Sequence, residues 1–375
     1  MKRVVILCVW LFSVVAGHAQ LSLDECRRLA RENYPEIRQY DLVHQTEQYN
    51  LSNAARAWIP QIAFSAQATW QTDAPNFPKE LTGMLAQQGL EIPGLRKDQY
   101  KVALELNQTI WDGGKSVADK RIARAEAAEQ KTMTDVDLYE LEGRVDDLYF
   151  GILLLDERIA QTNLTLNLLR SNLEKVRALQ RNGVAMQSDA DVLEAELLSV
   201  GQQLIQFESS CDSYRRMLGI FIGQKVGDRK LQRPSAVQLL SGESARPELA
   251  MFAAKIDRLT AQEKMVKSSS MPRLGFFAQG YYGYPGLDYM QSMMNSDWSW
   301  NAMLGVKLSW NFGAYYTQKN NLNKLRISRQ QVEVQRDVFL FNMNLQAAQE
   351  NGDIARLRKA IADDDRIVAL RRSVR

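Results

Sequence analysis

Few residues in this 375-residue chain have a type and spacing that could carry chemistry. It has two histidines, His18 and His44, and His18 falls inside an N-terminal targeting segment. That leaves His44, in a helical stretch where a lone imidazole is a surface or packing residue rather than a metal ligand. No H-E-x-x-H, G-x-S-x-G or Cys/His ligand spacing occurs. Gly114-Lys115-Ser116 looks like the end of a phosphate loop, but the motif's first glycine would stand at Thr109. The run reads instead as a strand-to-helix turn. Carboxylates are scattered on helix faces as solvated charge. No enzyme activity, cofactor or metal is expected.

Lys2 and Arg3, the apolar run Val4 to Val15 and Gly17-His18-Ala19 make residues 1–19 a signal peptide. Its 12 apolar residues are too few to span a bilayer. Cys8 follows Leu7 rather than a small residue, which argues against a lipoprotein. A mature chain from Gln20 is expected beyond the inner membrane of a bacterium. It contains no apolar stretch of 18 residues, so any membrane crossing must use β-strands. With 47 basic against 44 acidic residues there is no electrostatic case for nucleic acid. Cys26 and Cys211 remain; a disulfide is permitted there, but Cys211 falls on a helical core position, so buried free thiols are expected.

The mature chain's tryptophans collect in or beside two windows, Trp58, Trp70 and Trp111, then Trp298, Trp300 and Trp310. Such rings gather where a surface crosses from lipid to water. Both windows show period-two alternation over expected strands 60–72, 100–111, 272–284 and 300–312. The expected membrane-facing side carries Ile62, Phe64, Trp70, Leu104, Leu106, Phe276, Leu304, Val306 and Trp310, with Ile110 on the same parity. The expected lumen-lining side carries Gln61, Gln67, Glu105, Asn107, Lys307 and Asn311. A soluble sheet would alternate too, but the apolar sides here end in Trp or Tyr. Four strands cannot close a barrel, because open edges in hydrocarbon leave backbone groups unsatisfied. Two copies would supply eight strands and three copies twelve, so an oligomer is required.

Long helices fill the rest. Leu138, Leu141, Val145, Leu148, Ile152, Leu155, Ile159, Thr162, Leu166, Leu169, Leu173 and Val176 keep a 3-4 spacing, the signature of a coiled-coil seam. The chain breaks at Asn182-Gly183 and restarts with a cap expected at Ser188 and Asp191. The returning helix repeats the spacing at Leu193, Leu197, Val200, Leu204, Phe207, Cys211, Tyr214 and Leu218. Near the start, Ser22 and Glu25 form a capping box and Pro35 interrupts the helix.

The pattern then recurs: Trp58-Ile59-Pro60 is echoed by Ser270-Met271-Pro272, and Leu106 to Gly114 by Leu308 to Gly313. The expected first repeat, 20–218, holds helix 22–57, strands 60–72 and 100–111, and a helical hairpin 114–218 with its tip at 182–188. A linker follows at 219–244. The second repeat, 245–375, holds helix 245–270, strands 272–284 and 300–312, and helix 314–375.

With Leu21-Ser22-Leu23-Asp24-Glu25, Ala30, Asn33, Pro35, Pro60, Trp111-Asp112-Gly113-Gly114, the 181–192 tip, Pro272 and Leu308 to Gly313, the chain resembles the TolC-like outer-membrane factors. The resemblance implies a mostly α fold with long coiled-coil hairpins in a periplasmic α-barrel. It also implies four strands per chain in a shared 12-stranded outer-membrane β-barrel, hence a homotrimer. The function implied is a passive duct of a tripartite efflux pump or type I secretion system, driven indirectly by an inner-membrane pump. A periplasmic adaptor would meet the tip at Asn182, Gly183, Val184, Ala185, Met186 and Ser188. The rival reading is a non-conducting, membrane-anchored coiled-coil scaffold. Leu106 and Leu308 lie 202 residues apart, which puts a second tip near position 385, past Arg375. The returning helix of the second hairpin, with the family's entrance-gate residues, is therefore expected to be missing, as in a truncated chain.

Overall fold

A computed structural model describes residues 20–89, 92–235 and 246–373. The expected signal peptide 1–19, the linker's second half and the last two residues lie outside the described residues. In chain order the helices are α1 (Leu23–Asn33), α2 (Gln39–Arg56), α3 (Lys79–Gln87), α4 (Lys115–Arg181), α5 (Gln187–Ile222), α6 (Pro247–Ser268), α7 (Tyr289–Met294) and α8 (Gly313–Ser373). The strands are β1 (Gln61–Trp70), β2 (Asp98–Trp111), β3 (Arg273–Tyr284) and β4 (Ser299–Ser309). The chain divides into two units, Met1–Val43 with Gln130–Met251, and His44–Glu129 with Phe252–Arg375.

The first unit is helical, and its core is the heptad stripe of α4. Leu138, Leu141, Val145, Leu148 and Ile152 are buried together with Cys26 and Ala30 of α1 and Cys211, Leu218 and Ile222 of α5. Each such aliphatic side chain contributes about 1.5–3 kcal/mol when fully withdrawn from water. Ser22 caps α1 by accepting the Glu25 N–H at 3.2 Å. At the far end of the same helix, the Asn33 amide donates to the Ile220 and Phe221 carbonyls at 3.1 Å and so satisfies orphan acceptors at the end of α5. Tyr214 departs from the predicted stripe. It is partly exposed, and its ring lies so close over Gly151 that a Cβ there would come within 2.7 Å of it.

The expected linker starts late and its first part is packed. Helix α5 runs on to Ile222 and stops at Gly223 with φ 70°. Val226 and Leu231 beyond it are buried, and Leu231 forms a parallel bridge with Leu21. The Tyr149 hydroxyl reaches the Leu21 and Gln232 carbonyls at 2.7 and 2.5 Å, and burial pushes its pKa up to about 12. Arg215 pins the same segment, donating to the Gly227 carbonyl at 2.8 Å and to the Asp156 carboxylate at 2.9 Å.

The second unit contains one antiparallel sheet in the order β1-β2-β3-β4. Its central pair, β2 and β3, brings together strands from the two sequence repeats, from Tyr100↔Tyr284 to Trp111↔Leu274. The register shifts between Thr109 and Trp111, so Ile110 is the extra residue of a bulge that breaks the alternation building the apolar face. The bulge moves Trp111 onto that face, opposite Leu274. Helix α8 follows β4 for 61 residues and buries none of them.

Candidate functional site: a two-faced sheet and a hairpin tip

Antiparallel partners share a face, so the register sorts every strand residue. One face combines Ile62, Leu106 and Ala278, Phe64 and Leu104, and Phe276 with Val306. Its side chains stand free: Trp300 is 82% exposed, Leu304 75%, Phe64 73%. On the other face Ala103 and Tyr281 are only 2% and 7% exposed. Side chains splay apart on a convex surface and crowd on a concave one. The apolar face is therefore convex and the polar face concave.

Aromatic rings bound the convex face. At its loop end Tyr100 stacks on Trp298 at 5.8 Å, and Tyr282 lies 5.4 Å from Trp298 and 5.0 Å from Trp300. At its helix end Trp310 lies 4.8 Å from Phe312, with its Nε1–H donating to the Ser270 carbonyl at 3.0 Å. Trp58 donates to Ser116 Oγ there at 3.1 Å. Ten residues separate Trp300 from Trp310. That is about 33 Å along a strand at ~3.3 Å per residue. Tilted by about 40°, it gives a band roughly 25 Å tall, the apolar height of an outer-membrane barrel.

The concave face carries Gln61, Gln67, Glu105, Asn107 and Lys307 in register with one another's neighbours. Asn311 does not join them. Strand β4 ends at Ser309, and the Asn311 carbonyl instead accepts the Ala314 N–H at the start of α8. Sequence reasoning did not assemble a polar chain across β2 and β3: Lys101 Nζ lies 4.5 Å from the Tyr281 ring centre and 3.1 Å from Gln279 Oε1, and Gln279 Nε2 donates to Glu105 at 2.5 Å. Cross-strand register alone brings these residues together. The face also holds apolar residues such as Met303 and Phe277, the latter folded over Gly305, where a Cβ would come within 2.9 Å of the ring.

At the end of β2 the chain must turn from strand to helix. Gly113 and Gly114 take φ of 69° and 83°, a region that penalises a Cβ. The Asp112 carboxylate accepts the Gly114 N–H at 2.9 Å and the Ser116 N–H at 2.7 Å. Burial pushes its pKa up, but the donors of Ser116 and Gly114 outweigh burial and hold it below the ordinary carboxylate value. The phosphate-loop look-alike is this turn, and Lys115 pairs with Asp119 at 2.7 Å.

The tip lies between α4 and α5. Gly183, with φ 76°, donates to the Gln180 carbonyl and Val184 to the Leu179 carbonyl, both at 2.9 Å, a Schellman stop. Val184 and Met186 are each 73% exposed, Ala185 is half-buried, and Asn182 is exposed. The expected cap at Ser188 and Asp191 lies too late. Helix α5 begins at Gln187, with Met186 as the capping position, because the Asp189 side chain accepts the Met186 N–H at 3.0 Å. Ser188 is therefore an exposed residue of the first turn. Cys26 and Cys211 are both buried and free. Among the described residues no helix is long and apolar enough to cross a membrane.

A sheet apolar on one face and polar on the other, in a chain that also holds long helices, is the layout of an outer-membrane channel protein. Residues 27–223 match the model of the outer membrane efflux protein family, and the chain belongs to that family and hence to the outer membrane. Among solved structures it is similar to the outer membrane protein VceC of Vibrio cholerae (TM-score 0.62, 14% identity, covering 85% of this chain and 75% of that one). It is also similar to the CmeC outer membrane channel of Campylobacter jejuni (TM-score 0.58, 14% identity, 85% and 68%). The third likeness is to the open state of the Neisseria gonorrhoeae MtrE outer membrane channel (TM-score 0.55, 15% identity, 83% and 68%). Comparison with curated proteins finds no match.

Proposed function

We propose that the protein is a passive duct through the outer membrane, serving a tripartite efflux pump or type I secretion system. The convex face, with Ile62, Phe64, Leu104, Leu106, Phe276, Leu304 and Val306, meets acyl chains, and Trp70 and Trp310 sit near its two margins. The concave face, with Gln61, Gln67, Glu105, Asn107 and Lys307, wets the bore. One observation carries this reading: two faces of opposite character on a curved sheet whose outer strands are both open. Among the described residues β1 pairs only with β2 and β4 only with β3. In hydrocarbon each unpaired backbone group costs several kcal/mol, so the edges demand other copies. Three copies, twelve strands, is the number the family resemblance favours.

Energy and choice of cargo then come from partners. The tip, with Val184 and Met186 bare beside Gly183, is the surface offered to a periplasmic adaptor coupled to an inner-membrane pump. Reconstitution into planar bilayers tests the duct: discrete conductance steps are expected from a trimer stable in detergent. A membrane-inserted trimer that stays closed in the presence of its adaptor overturns it.

A further inference from the structure

The concave face ends, next to the helices, in a cleft of about 580 Å³. Three carboxylates line it, and each is already engaged. Glu105 accepts the Gln279 amide, Asp112 accepts two backbone N–H groups, and Asp119 pairs with Lys115. Three cations line it as well: Lys115, taken up by Asp119, and Arg273 and Lys307, neither of which has a carboxylate partner within salt-bridge range among the described residues.

The register puts these two cations side by side. Arg273 pairs with Ser309 and Lys307 with Gly275, so the two are diagonal neighbours on one face. Diagonal neighbours stand about 7–8 Å apart, where like charges repel. Between them the floor is Gly275, which has no side chain, and beyond Gly275 the next partner on the face is the Thr109 hydroxyl. Two unpaired cations over a bare glycine floor, with a hydroxyl alongside, leave room and charge for one anionic oxygen cluster. The backbone here permits little else, since a Cβ on Gly275 would come within 3.2 Å of the Gln108 carbonyl.

We propose that Arg273 and Lys307 form an anion-binding station on the concave face, which favours cargo bearing phosphate, carboxylate or sulfonate groups. The site deepens the duct reading and rests on it for its transport role, though not for binding itself. In the bore of an assembled channel the low-dielectric wall strengthens the field of such a pair, as charged rings do in selective pores.

Tripolyphosphate is the probe, in two arms on the full chain. By isothermal titration in detergent, wild type is expected to bind it, and Arg273→Gln/Lys307→Gln to bind it at least about tenfold more weakly. The charge-preserving Arg273→Lys is expected to retain most of the affinity and reports on folding. In bilayers, tripolyphosphate is expected to block wild-type current, and the double variant is expected to lose both the block and about half or more of any chloride-over-potassium preference. Equal binding by wild type and the double variant overturns the station, even where current flows. Binding that depends on the pair, with no current even in the presence of the adaptor, leaves the station standing and removes the duct reading.

Discussion

Two long helices follow the two halves of the sheet, and their sequences obey the same rule with opposite outcomes. Helix α4 buries Leu138, Leu141, Val145, Leu148 and Ile152 against α1 and α5. Helix α8 carries Ile327, Val334, Val338, Phe341 and Leu345 at the same three-, four- and seven-residue steps, and all five are exposed. Its described ring contact is Phe339 against Phe252 of α6, at 5.9 Å. A heptad stripe is a demand for a partner, and sequence alone does not say whether the partner lies in the same chain. For α4 it does.

The sharpest way to break that contrast is to remove one large aliphatic from each stripe. Ile152→Ala is expected to cost about 2–5 kcal/mol, because the site is fully enclosed and leaves a cavity. Val338→Ala is expected to stay within about 0.5 kcal/mol for the isolated chain. Urea unfolding at protein concentrations below assembly measures both. Any Val338 effect should grow as concentration rises, since a partner that binds only the folded chain stabilises it by mass action. Equal losses at low concentration would mean that α8 is covered within its own chain.

A smaller effect is expected at Arg215, which ties the segment after α5 to α4 through Asp156 and has no counterpart on α8. Its side chain is half-buried and spends four donor contacts on Asp156, Gly227 and Arg229. Arg215→Ala should cost about 1–3 kcal/mol, most of it from carbonyls and a carboxylate left unmet. Hydrogen exchange should locate the loss at residues 223–235. Uniform loosening of both units would sink the idea of a local tie.

What was legible in the sequence follows from which forces are periodic. The α4 and α5 stripes and the strand parity are local repeats of 3.5 and 2 residues, and they survive into the fold. The bulge at Ile110 has no period, and it moved Trp111 to the apolar face. Helices α3 and α7 are nine and six residues long, too short to show a face, and they fall between the expected strands. The packing of Leu231 on Leu21 joins residues 210 positions apart, so nothing local announces it. The same holds for the Lys101, Gln279 and Glu105 chain, which exists only once β2 and β3 are in register. Parity extended past Ser309 places Asn311 in the bore, but β4 ends at Ser309 and the alternation ends with it.

The two strand-to-helix junctions give the finest comparison. At the first, Asp112 caps through two N–H groups beside two left-handed glycines. At the second, Asn311 offers its carbonyl to Ala314, and Gly313 is not in the left-handed region. Asp112→Ala should therefore cost about 0.5–2 kcal/mol, the range for a lost cap, and Asn311→Ala much less. The Asp112 contribution also has a sign with pH. Its folded pKa is depressed, so its stabilisation is fully present above the unfolded carboxylate value near ~3.9 and is lost as pH falls through the lower folded value. Asp112→Asn keeps an acceptor but not the charge, so it should narrow the gap to wild type as pH drops from 6 to about 3. A gap that stays constant over that range would assign the cap's strength to its shape alone and remove charge from the account.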